Sequence, residues 1–232
     1  MLLSAQGTHP RTPTAVPRAA LGLALAAFAM SAYAFVTADH RADAVLLFGL
    51  PAPFDPSAPV GPQWLAVLSW GFTALGRPRV VAAVLVIAAG CLMVAGRRAP
   101  AAYLLGSVVT GVAFGIFLKK TFGFIRPHHA PMLGEEAATS FPSGHALLAS
   151  LLLFSIAFAV LRCASPAGRF RVGALAFGSA AALSLLVGLS RVHLGLHWPT
   201  DVVAGWAAGA GWALLFSLVF VGQKRELASG AK

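Results

Sequence analysis

The sequence predicts an all-α fold, a polytopic membrane helical bundle of about six transmembrane helices with one short interfacial helix. Three observations predict it. Of the 232 residues, 58% are hydrophobic and only 10% are charged, against about 25% charged in an ordinary soluble domain. Mean hydropathy is +0.81. The apolar residues also fall in runs close to the roughly 20 residues that cross about 30 Å of hydrocarbon. The formal net charge of +10 does not indicate nucleic acid as a partner. Lys and Arg are scattered between apolar runs, whereas a nucleic-acid footprint gathers them on one soluble face.

Residues 1–18 are polar and Pro-rich, with Arg11 and Arg18 but no acid, and are expected to form a disordered cytoplasmic tail. The first span is expected at about 19–37. A cleaved signal peptide ending at Ala32-Tyr33-Ala34 is the alternative. The run exceeds the usual signal core of about 7–15 residues, which favours a retained span. Residues 38–61 are rich in Pro and Asp and read as an aqueous loop. The segment 62–76 is apolar but short and carries Trp64 and Trp70. Short apolar stretches are often interfacial or re-entrant, and Trp favours the headgroup level. Further spans are expected at about 80–96, 99–118, 145–162, 172–190 and 201–222, giving one membrane domain over 19–222 and a cytoplasmic tail at 223–232. The pairs Gly111/Gly115 and Gly205/Gly209 have the small-residue spacing that lets helices approach, and packing is their expected role. Cys91 and Cys163 form no C-x-x-C motif and are expected to be buried free thiols.

Orientation follows from the basic residues. With the amino terminus inside, Arg11, Arg18, Arg97, Arg98, Arg162, Arg169, Arg171, Lys224, Arg225 and Lys232 face the cytoplasm. Arg41, Arg77, Arg79, Lys119, Lys120, Arg126 and Arg191 face outward. The bias sharpens once Lys119, Arg126 and Arg191 are assigned to a site. A bacterial inner membrane, with that site facing the periplasm or exterior, is the expected setting.

Four expected span ends share one side of the membrane: Lys119, His145, Arg191 and Asp201. One crossing separates 145 from 162 and another separates 172 from 190, so parity alone requires it. Collected there are Lys119, Arg126, Ser143, Gly144, His145, Arg191, His193, His197 and Asp201. Snorkelling anchors account for Lys and Arg at a membrane edge, but not for the histidines or their spacing. Three cations make an anion site, and the planar fork of Arg suits phosphate oxygens. Phe141-Pro142-Ser143-Gly144-His145 precedes a helix start, where backbone N–H groups also bind phosphate. Ser143 can cap or donate, and Gly144 permits close approach. Asp201 lies four residues after His197, so on a helix start it shares a face with the imidazole and can fix its tautomer. Pro199 suits a first helical turn. His197 is then a candidate nucleophile and His145 a candidate proton donor.

These residues resemble the signature of the type 2 phosphatidic acid phosphatase (PAP2) superfamily. Lys119 through Pro127, KKTFGFIRP, matches K-x6-R-P; Pro142 through His145 reads PSGH; Ser190 through Asp201, SRVHLGLHWPTD, matches S-R-x5-H-x3-D. No signature position departs from the pattern. The resemblance implies a membrane lipid phosphatase with a lipid phosphate as substrate. It implies that Lys119, Arg126 and Arg191 hold the phosphate with Ser143 and Gly144, and that His197 forms a phosphohistidine oriented by Asp201. His145 would act as acid and then base, and neither metal nor cofactor is implied. The motifs recognise a phosphate and do not choose among lipid tails. Oligomeric state is not readable.

Two other readings compete. A vanadate-dependent haloperoxidase shares these blocks but is soluble, and a non-catalytic lipid-phosphate binding or transport protein would also place charges at a membrane edge. His193 and His197 are spaced like half of a metal site, but no H-E-x-x-H pattern accompanies them and a structural hydrogen bond is expected for His193. His128, His129, Glu135 and Glu136 read as solvated loop residues, and His9 and His40 carry no site expectation.

Overall fold

The computed structural model describes residues 15–37, 61–122 and 141–230. Among these lie seven α-helices and no strand: α1 (Ala15–Val36), α2 (Gln63–Leu75), α3 (Pro78–Val94), α4 (Arg98–Phe122), α5 (Gly144–Cys163), α6 (Arg169–His193) and α7 (Pro199–Gly230). Local chemistry sets the boundaries. Pro78 occupies the first turn of α3, where its missing N–H costs nothing. That helix closes at Gly96, which takes φ +70, with Gly96 N–H bonded to Met93 O at 3.0 Å and Arg97 N–H to Leu92 O at 2.8 Å. This paired closure needs a left-handed residue, which glycine supplies cheaply.

α5 is the central helix, packed against α4, α6 and α7, while α1 packs on α7 and α2 on α6. Small residues set how close the helices come. A β-carbon on Gly111 would stand 2.6 Å from Leu151 Cδ1, and one on Gly205 would stand 2.6 Å from the backbone oxygen of Ser143. Gly115 meets Leu147, and Gly209 sits against Leu147 and Ser150. Both glycine pairs therefore pack α4 and α7 onto α5, as their spacing predicts. At the C-terminal end of α5, Arg162 lies 4.1 Å from the Tyr103 ring centroid and donates to Phe158 O at 3.1 Å and Ser217 Oγ at 3.0 Å. It ties α4, α5 and α7 together there. The outside carries exposed Leu23, Ile87, Phe117 and Leu175, as suits a bundle surrounded by hydrocarbon.

The all-helical bundle is as expected, but the count of six spans is not confirmed. Among the described residues, four helices are long and apolar enough to cross a membrane: α4, α5, α6 and the Pro199–Phe220 part of α7. A fifth crossing arises only if α2 and α3 form one span bent by 56°. Gly76 and Arg77 stop α2, and Pro78 restarts the chain in a new direction, so hydropathy alone merges or separates the two arbitrarily. The first expected span contributes the shorter apolar stretch Ala20–Tyr33. α1 begins at Ala15, within the expected tail, and α7 continues to Gly230, past residue 222. Both cysteines are free thiols, but neither is buried as expected: Cys91 is exposed and Cys163 is half-buried.

Candidate active site

The geometry of the third block follows from a helix end and a helix start placed back to back. α6 ends with Leu196 N–H bonded to Arg191 O at 3.0 Å and Gly195 N–H to Val192 O at 2.9 Å. Gly195 takes φ +64, the left-handed residue that this closure requires. The chain reverses there and restarts at Pro199. Trp198 precedes the new helix, and its carbonyl accepts from Val202 N–H at 3.2 Å. Asp201, at the third helical position, reaches back so that its Oδ2 accepts from Trp198 N–H at 3.2 Å. That is the acidic half of a capping box. The same Oδ2 lies 3.3 Å from His197 Nδ1, and both side chains are buried. Capping therefore fixes the carboxylate, and the carboxylate fixes the imidazole.

The second block is docked on the third through the backbone. Ser143 N–H donates to Asp201 O at 2.9 Å, across the close approach that Gly205 permits. Phe141 is fully buried between Phe28 of α1 and Phe122 of α4, with ring centroids 5.9 and 5.3 Å away. Ser143 stands at the N-cap of α5 but makes no side-chain cap bond. Its hydroxyl is buried and has no hydrogen-bond partner among the described residues. Lys119 lies along Gly144: a β-carbon there would stand 3.1 Å from Lys119 Cε and 3.7 Å from Nζ. Gly144 thus makes room for an ammonium beside a helix N-terminus, where backbone dipoles and cation favour the same anion. From the other side, Gly76 seats the α2–α3 elbow on His145. A β-carbon on Gly76 would meet His145 O at 2.8 Å and its Cβ at 2.9 Å.

Lys119, Gly144, His145 and His197 share one cavity of about 670 Å³ between α3, α4 and α5. Its remaining walls are aliphatic, including Val81, Leu85, Val108, Val112 and Leu148. Arg191 is buried at the end of α6, and its Nη1 donates to Thr73 Oγ1 at 3.2 Å. His193 does not turn toward a metal site with His197. Its Nδ1 lies 2.9 Å from Ser69 Oγ, the structural hydrogen bond expected for it. Among the described residues no group of three or more His, Cys, Asp or Glu gathers as metal ligands. Arg126, His128, His129, Glu135 and Glu136, like His9 and His40, lie outside the described residues.

The chain matches the PAP2 superfamily over residues 100–225. The chain belongs to the PAP2 superfamily. A lipid A 1-phosphatase of Rhizobium johnstonii is 37% identical over 128 residues, covering 51% of this chain and 47% of that protein. Phosphatidylglycerophosphatase B of Bacillus subtilis is 30% identical over 156 residues, covering 67% of this chain and 74% of that protein. The alignments with lipid A 1-phosphatases span about half the length of those relatives. The crystal structure of a transmembrane PAP2-type phosphatidylglycerolphosphate phosphatase from Bacillus subtilis superposes with a TM-score of 0.68 at 25% identity. That superposition covers 90% of this chain and 96% of the other. With a transmembrane PAP2 neighbour and several apolar helices, this PAP2 protein is an integral membrane protein. Three residues that shape its site escape a reading based on charge and motif. Gly195 carries a weak signal, a glycine just past a helix end. Gly76 and Thr73 carry none, because their partners are distant in sequence.

Proposed function

We propose that this chain is a membrane lipid phosphatase that hydrolyses a phosphomonoester or diphosphate of a lipid through a phosphohistidine. One observation carries the reading: Lys119, His145 and His197 meet on a cavity whose other walls are hydrocarbon. Phosphoryl-transfer chemistry and a hydrophobic tail find their partners in one space of about 670 Å³, a size usual for ligand sites.

Lys119, Arg126 and Arg191 hold the phosphate, helped by Ser143 and the backbone of Gly144. With Nδ1 turned to Asp201, the ring presents Nε2 as nucleophile. Attack forms a P–N bond and breaks the bond from phosphorus to the leaving oxygen, which takes a proton from His145. Water then attacks the phosphohistidine, giving its proton to His145, and inorganic phosphate departs. The cations neutralise the charge on the equatorial oxygens, the task a metal serves elsewhere. Substrates of the right class are undecaprenyl diphosphate, phosphatidate, phosphatidylglycerophosphate and the phosphate of a lipid A-like glycolipid. Six spans in a bacterial inner membrane, with the site facing the periplasm or exterior, remain the expected setting.

The test is phosphate release by detergent-purified protein from a panel of these lipids. At least one should be hydrolysed, and EDTA should leave the rate unchanged. No release from any of them sinks the proposal; loss in EDTA with rescue by Mg²⁺ removes its metal-free part. The cavity makes a second prediction. Val112→Trp should raise KM for a long-chain lipid phosphate on the order of tenfold, since apolar pockets discriminate by roughly 10–200-fold per methylene-scale change. A short-chain soluble phosphate ester should keep its kcat/KM within about threefold by the same reasoning. Equal losses on both substrates would show that the tail does not lie there.

A further inference from the structure

We infer that Thr73 is a positioning residue for Arg191, so that the short helix α2 forms part of the phosphate site although it lies outside the three signature blocks. This rests on the proposed reading of Arg191 as a phosphate ligand. Thr73 is buried on α2, 1% exposed, and Arg191 is 3% exposed. The hydroxyl accepts from Nη1 at 3.2 Å across 118 residues of sequence. One turn earlier on the same helix, Ser69 Oγ meets His193 Nδ1 at 2.9 Å. Positions four apart share a helix face, and two rungs lock α2 in register with the last turn of α6. Gly76, just past the end of α2, rests on the backbone of His145. One element outside the matched residues 100–225 therefore touches both the second and third blocks.

The choice of hydroxyl has a chemical consequence. A carboxylate in this place would pair with the guanidinium and cancel the charge that an incoming phosphate needs. A neutral hydroxyl occupies one of the five N–H donors and fixes the plane of the fork without neutralising it. Arginine flexes about several single bonds, and orienting it beforehand removes that freedom from the cost of binding phosphate.

Thr73→Val removes the hydroxyl and keeps the branched shape, whereas Thr73→Ser keeps the hydroxyl. With full-length protein in detergent, Thr73→Val should lower kcat/KM for lipid phosphate by about 10- to 100-fold, the scale of a lost hydrogen bond to a charged group. The concentration of inorganic phosphate that half-maximally raises the melting temperature should rise by a similar factor. Thr73→Ser should restore both to within about threefold of wild type. A purely structural role would lower the phosphate-free melting temperature and leave phosphate affinity alone. Two results overturn the inference: Thr73→Val with unchanged phosphate affinity, or Ser and Val variants equally impaired. If wild type releases no phosphate from lipids yet is stabilised by inorganic phosphate, the functional reading fails while the Thr73 comparison still decides this one. If wild type shows neither response, both fall.

Discussion

Replacing His197 by alanine is expected to lower phosphate release by about 10⁴-fold or more, the scale seen when a nucleophile is removed from a unit whose members act together. The imidazole is buried, held at Nδ1 by Asp201 at 3.3 Å, and lines the same cavity as Lys119 and His145. The intermediate gives a second readout. A P–N bond to imidazole is labile in acid and survives alkali, so brief exposure to radiolabelled lipid phosphate should leave alkali-stable label on wild type and none on His197→Ala. His145→Ala divides the two steps. With an aryl phosphate, whose phenolate leaves without a proton, the first step should persist and the second should slow. The expected trace is one equivalent of phenolate in a burst, then slow turnover. Label retained by His197→Ala, or activity within tenfold of wild type, would reject the nucleophile.

The candidate cluster was legible because a membrane makes charge conspicuous. Lys119, His145 and His197 interrupt apolar runs, and parity of the crossings requires their span ends to share a side; the structure has them on one cavity. The His197–Asp201 pairing was legible from its spacing but not for the reason the spacing suggests: His197 lies two residues before α7, and Asp201 reaches it by turning back as a cap instead of along a shared helix face. What spacing could not supply is the second use of that carboxylate, as acceptor for Trp198 N–H, or the bond from Ser143 N–H to Asp201 O that docks one block on another. Those contacts join residues by backbone groups, which every residue possesses. The span count was less legible for a related reason. Hydropathy measures how apolar a stretch is, and the 56° bend between α2 and α3 depends on Gly76 and Pro78 instead. The elbow bends where Gly76 meets His145, a contact between residues 69 positions apart that no local window contains.

Asp201→Asn should retain the fold and lose on the order of 10³-fold in turnover, less than the roughly 10⁴-fold found where the same change also imposes the wrong tautomer on a catalytic histidine. The two functions of this residue separate under that change. An amide oxygen still accepts from Trp198 N–H, so the start of α7 stays capped and the melting temperature should stay close to wild type. That oxygen, standing in the place of Oδ2, also faces His197 Nδ1 and keeps the proton on that nitrogen, but a neutral amide offers no negative charge to the imidazolium that forms. Asp201→Ala removes both functions and should add about 0.5–2 kcal/mol of lost capping. It should therefore melt earlier than Asp201→Asn while being no more active. Phosphate affinity, read from thermal stabilisation by inorganic phosphate, should be nearly unchanged in the Asn variant, because Lys119 and Arg191 remain in place. An Asn variant that turns over at near wild-type rates would mean that the aspartate only caps a helix, and the His197–Asp201 pair would have no part in the chemistry.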